Sequence, residues 1–76
     1  MIIGDPMLRN RPIILLEDVV TTGGSVLDAI AALRDEGWNP VSVLAAVDRG
    51  GGPAVAEVLP FKAALRMDDE GLVQPY

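Results

Sequence analysis

The sequence contains no cysteine and no histidine. Without thiols there is neither a disulfide framework nor a thiolate nucleophile. Without imidazole as well, a zinc site of the usual N/S type and any mechanism needing a histidine base are excluded. Aromatic side chains are scarce, with only Trp38, Phe61 and Tyr76, so no platform exists for stacking single-stranded bases. Basic residues are also few. Arg9, Arg11, Arg34, Arg49, Lys62 and Arg66 stand against 11 acids, for a formal net charge of −5. Such a surface repels nucleic acid and anionic membranes, which both require clustered Lys and Arg. No apolar run approaches the roughly 20 residues of a membrane span. The N-terminus lacks the basic start of a signal peptide, so a cytoplasmic protein is expected. What remains is oxygen chemistry: carboxylates, hydroxyls, backbone amides and a hard cation such as Mg²⁺.

Half of the 76 residues are apolar, which suits one small folded domain and argues against disorder. A chain of this size buries only roughly 60% of its unfolded surface, so its core is marginal. Association with another copy, or with a complementing chain, is therefore expected.

Along the chain, residues 1–12 read as an irregular lead-in or a stub of strand. The apolar run Ile13–Leu16 is too short for a helix and lacks alternation, which predicts a strand covered on both faces. From Ser25 the period changes. Val26, Leu27, Ile30 and Leu33 fall at helical spacing over about 12 residues, Gly37 supplies a C-cap, and Pro40 prevents continuation. Val41–Val47 predicts a second strand, ending at the Gly-rich "DRGGGP". Residues 54–59 suit a short helix. "FKAALRM", residues 61–67, reads as a third strand, with helix as the alternative. The tail reads as solvated, with Leu72 as its one anchor. Neither an internal repeat nor a domain linker is visible. The expected fold is α/β: a β-α-β unit with a short helix/strand appendage, its two loops side by side at the strand C-terminal ends.

The first of those loops is "TTGGS". Gly23 and Gly24 let backbone approach a ligand closely, and the first helical amides suit an anion. Thr21, Thr22 and Ser25 add hydroxyl donors, which makes a phosphate cradle without a lysine. Thr or Ser at a helix start and Gly in a βα turn also occur for purely structural reasons. That explanation leaves Glu17 and Asp18 unaccounted for. Adjacent carboxylates repel an anion unless they face hydroxyls or a cation, and successive side chains on a strand point to opposite faces. A ligand with both a phosphate and a vicinal diol, such as ribose 5-phosphate, satisfies both halves. A Walker A loop would need a Lys, and the dinucleotide G-x-G-x-x-G is absent at the strand end.

"IILLEDVVTTGGS" resembles the 5-phosphoribosyl-1-pyrophosphate (PRPP) binding motif of the type I phosphoribosyltransferases. With Asp48-Arg49 after "VSVLAAV", the stretch Ile13–Gly52 is similar to orotate phosphoribosyltransferase. Beyond it, "FKAALRMDDEGL" resembles that family's closing strand and acidic turn. The resemblance implies a phosphoribosyltransferase (Rossmann-like) fold over residues 13–76. It also implies phosphoribosyl transfer from PRPP to orotate in pyrimidine biosynthesis, with Mg²⁺ bound through the pyrophosphate. Glu17 and Asp18 are then expected to hold the ribose hydroxyls and favour positive charge developing on the ring. Thr21, Thr22, Gly23, Gly24 and Ser25 are expected to bind the 5-phosphate, with Thr21 also reaching the pyrimidine. Arg49 is expected to pair with the orotate carboxylate, its planar fork matching two oxygens. A surface ion pair of Arg49 with Asp48 or another acid is the alternative. The family's pyrophosphate and lysine loops precede the motif, whereas only twelve residues precede Ile13 here. The chain therefore resembles the C-terminal half of such an enzyme, acting with a complementing N-terminal half or as a homo-oligomer. A non-catalytic module that binds a ribose phosphate is the competing reading.

Overall fold

The apolar run at Ile13 does form a strand, but a longer one than its composition suggests. In the computed structural model, which describes residues 2–3, 11–68 and 70–76, this strand (β2) covers Pro12–Val20 and includes Glu17 and Asp18. A two-residue strand, β1 (Ile2–Ile3), lies antiparallel against it, with Ile2 opposite Leu15 and Ile3 opposite Ile14. The remainder of the expected lead-in up to residue 10 lies outside the described residues. Helix α1 (Gly24–Asp35) then carries the chain back to β3 (Asn39–Asp48), which runs parallel to β2.

The stop signals of α1 act as their chemistry requires. Gly37 adopts φ 89°, its amide donates to Arg34 O at 3.1 Å, and the Trp38 amide donates to Leu33 O at 2.9 Å. This pair of reverse bonds satisfies terminal carbonyls of the helix, and the left-handed residue between them carries no Cβ penalty when it is Gly. Pro40 not only ends the helix but also enters β3. Ile13 pairs with Pro40 and Ile14 with Ser42, which leaves Val41 as an extra residue. A residue without an N–H interrupts the ladder, and a bulge accommodates it.

A short helix, α2 (Gly52–Ala56), leads to β4 (Phe61–Met67), parallel to β3, and β5 (Val73–Pro75) returns antiparallel to β4. The sheet order is β1-β2-β3-β4-β5. The α/β architecture expected from the sequence is thus present, and "FKAALRM" is a strand. The adjacent Ala63 and Ala64 do not prevent a strand once β3 supplies the ladder, because β preference reflects the pleated neighbourhood more than the residue.

Val26, Ile30 and Leu33 of α1 and Val55 of α2 meet Leu15, Val43 and Ala45 in one buried cluster. Both helices therefore cover the same face of the sheet. On the other face Ile14 and Leu44 remain 41% and 40% exposed, so β2 is not buried on both sides. The tail also departs from expectation. Leu72 is 58% exposed and anchors nothing, whereas residues 73–75 join the sheet through β4. Strand pairing and the Tyr76 side chain, not Leu72, hold this end.

Candidate functional site

Two loops leave the C-terminal ends of the parallel strands β2 and β3, and they touch backbone to backbone. The Arg49 amide donates to Val20 O at 2.7 Å. A Cβ on Gly51 would lie 2.5 Å from the Gly23 nitrogen and 2.7 Å from the Thr22 carbonyl carbon. Gly23 itself sits at φ 86° with Gly51 O 3.0 Å from where its Cβ would be. Glycine at both positions is what lets the loops meet.

A cleft of about 60 Å³ opens where β2 passes into α1, and Glu17, Thr21, Thr22, Gly23 and Ser25 are among its lining residues. Burial alternates along β2 as far as Leu15. It then slips, leaving Leu16 and Glu17 both half-buried, Asp18 and Val19 both exposed and Val20 buried. Glu17 therefore lines the cleft while Asp18 stands beside it. Gly24 also adjoins the cleft without lining it. Its amide donates to Thr22 Oγ1 at 3.2 Å, and a Cβ there would meet only that oxygen, at 3.5 Å. The opening amides of α1 lack intrahelical partners and carry the positive end of the helix dipole. With the flanking hydroxyls they can receive an oxyanion.

Arg49 lies elsewhere. It lines a larger cavity of about 250 Å³ at the C-terminal ends of β3 and β4, together with Asp48, Arg66, Met67, Asp68 and Tyr76. Asp48 is 2% exposed, and both of its oxygens are engaged. Oδ1 accepts from the Gly50 and Gly52 amides at 2.8 and 2.9 Å, and Oδ2 accepts from the Tyr76 hydroxyl at 3.2 Å. Burial, followed by that hydrogen bond and the Asp48 charge, raises the Tyr76 pKa. The Tyr76 ring also meets Phe61 edge-on, with centroids 6.0 Å apart. Because Asp48 is committed to the loop and the tyrosine, Arg49 makes no ion pair with it among the described residues.

The expected site is thus divided between a phosphate-sized cleft and an arginine-lined cavity, linked by the contact between their loops. Sequence reasoning missed Asp48 as the organiser of the second loop, although an Asp just ahead of a glycine run, as in Asp48-Arg49-Gly50-Gly51-Gly52, is a signal for such a turn. Arg66 and Tyr76 carried no local signal, since they reach the cavity only through strand pairing.

Neither a family model nor a solved structure matches the chain. Curated sequences do. The orotate phosphoribosyltransferase of Corynebacterium glutamicum (strain R) is 41% identical over 70 residues, covering 88% of this chain and 38% of the relative. That of Thermosynechococcus vestitus is 38% identical over 69 residues, covering 87% and 36%. That of Sorangium cellulosum reaches 52% over 51 residues, covering 64% and 27%. The chain is a sequence relative of the orotate phosphoribosyltransferases along 88% of its own length, and it spans little more than a third of theirs.

Proposed function

We propose that this chain carries the ribose-phosphate and carboxylate-binding part of an orotate phosphoribosyltransferase site. The observation that carries the reading is the cleft where Glu17 shares its wall with Thr21, Thr22, Gly23 and Ser25. The 5-phosphate of PRPP sits on the opening amides of α1 and accepts from the hydroxyls around them. Glu17 accepts from the ribose diol, with Asp18 beside it at the exposed rim, and both carboxylates favour positive charge on the ring as pyrophosphate departs. Orotate presents its carboxylate to Arg49 and supplies the attacking nitrogen. The described residues contain no group of three or more side chains able to cage a metal. Mg²⁺ bound through the pyrophosphate would offset charge on the leaving group.

The reading is tested at Gly24. A Cβ there meets only Thr22 Oγ1 at 3.5 Å, so Gly24→Val should leave the fold intact while crowding the cradle. Calorimetry of the parent chain with ribose 5-phosphate, and with PRPP plus Mg²⁺, should show saturable binding. Gly24→Val should remove it with the circular dichroism unchanged. Equal binding by both chains would move the phosphate site away from this loop.

A further inference from the structure

The Tyr76 hydroxyl donates to Asp48 Oδ2 at 3.2 Å, although the two residues stand 28 positions apart. Tyr76 is 54% exposed and Asp48 only 2%, so a surface side chain reaches a buried carboxylate. Both ends of this contact are held. The Tyr76 amide donates to Ala64 O at 3.3 Å, and the ring rests edge-on against Phe61. On the other side, a Cβ on Gly52 would collide with Asp48 Oδ2 and come within 2.8 Å of Phe61 Cε2. Glycine at this position therefore makes room for the oxygen that takes the hydroxyl.

Asp48 Oδ1 passes the constraint on. It accepts from the Gly50 and Gly52 amides at 2.8 and 2.9 Å, which sets the path of residues 49–52. The Arg49 amide ties that path to Val20 O at the end of β2. Gly51 then abuts the Gly23 nitrogen and the Thr22 carbonyl carbon so closely that no Cβ fits between them. Each link is a hydrogen bond or a close backbone contact, so a shift at Asp48 reaches residues 22 and 23. Tyr76 itself is not among the described residues that line the cleft of about 60 Å³.

We infer that Tyr76 is a positioning residue for the loop at residues 21–25, acting through Asp48 and the glycine run. Removing its hydroxyl leaves a buried carboxylate oxygen short of a donor. The carboxylate then turns toward another donor, and the Gly50 and Gly52 amides move with it. The inference rests on the reading above for what the loop binds, and it adds to that site a residue just beyond β5.

The test removes the hydroxyl and keeps the ring, in Tyr76→Phe. In amide NMR spectra of the 76-residue chain, the Gly50 and Gly52 resonances should shift, and those of Gly23 and Gly24 should follow. Affinity for ribose 5-phosphate, measured by calorimetry, should fall by about fivefold, the lower end of coupling between distinct sites. Gln74→Ala is the control. It removes the exposed contact between Gln74 Oε1 and Arg66 without touching Asp48. This variant should keep the parent's Gly23 and Gly24 resonances and its affinity, whereas general loosening of β5 would move both variants alike. Unmoved Gly23 and Gly24 resonances in Tyr76→Phe overturn the inference, as does equal weakening by Gln74→Ala. A parent that binds ribose 5-phosphate no better than Tyr76→Phe also overturns it. If the parent does not bind ribose 5-phosphate at all, the ligand is misassigned, and the glycine resonances alone decide the positioning role.

Discussion

At the scale of single residues, Asp48 is the most consequential side chain outside the loop Thr21–Ser25. A carboxylate 2% exposed would ordinarily be costly, yet each of its oxygens has a donor. Tyr76 reports on this arrangement directly, because the chain has one tyrosine. Its phenolate absorbance should titrate above the ordinary value of about 10. A raised folded value means the contact stabilises the chain fully below the ordinary value and is lost as pH rises through the folded one. Alkaline titration should therefore loosen the β5 end after the tyrosine ionises. Asp48→Asn, which removes the charge, should bring the midpoint down. An unshifted midpoint in the parent would mean the hydrogen bond does not persist in solution.

At the scale of elements, the two loops behave as one unit through the Gly23–Gly51 approach. Gly51→Ala places a methyl against the Thr22 and Gly23 backbone and against the buried Val20 side chain. Overpacking of this kind costs about 1–3 kcal/mol. Since the displaced backbone includes Thr22 and Gly23, the same substitution should weaken ribose 5-phosphate binding. Denaturant unfolding followed by the single tryptophan, Trp38, measures the first effect, and calorimetry measures the second. Unchanged stability and unchanged binding would show that the loops are further apart than the structure places them. The elements themselves were largely legible. Helix α1 follows from the spacing of Val26, Ile30 and Leu33 and from Gly37, all local signals. The extent of β2 was not, because Glu17 and Asp18 disfavour strand by composition. Pairing of Glu17 with Ala45 and of Val19 with Val47 decides it.

For the whole molecule, the described residues cover one face of the sheet, with Ile14 and Leu44 exposed on the other. Its edges are the short strands β1 and β5, which blunt edge-to-edge pairing. Association should therefore use the open face. Sedimentation at micromolar concentration should report a dimer or higher, and Ile14→Lys with Leu44→Lys should shift it toward monomer. A cooperative monomer in the parent would refute this. Turnover is a separate matter. Leaving pyrophosphate demands fixed cations and donors, and among the described residues the cleft at Thr21–Ser25 has no basic residue in its lining. Orotate consumption by the 76-residue chain alone should stay at background. It should rise only when a second chain supplies cations for the pyrophosphate, and Arg49→Ala should lower that restored rate. Robust turnover by the purified chain would mean these residues suffice.

The division between sequence and structure follows the range of the forces involved. The excluded chemistries, the helix with its Gly37 stop and the glycine-hydroxyl loop after a strand were all readable from residues close in sequence. Each depends on side-chain chemistry, backbone freedom at glycine or a local period, and the relationship to the phosphoribosyltransferases rides on the same contiguous stretch. Long-range pairing decided the rest. Which acid lines the cleft depends on where the β2 alternation slips. The commitment of Asp48 to Tyr76, 28 residues away, requires β5 to fold back along β4. Arg49 and Arg66 share a cavity only because β3 and β4 run parallel and end together. No local pattern encodes such a meeting, because its stabilisation arises only after the intervening chain has been ordered.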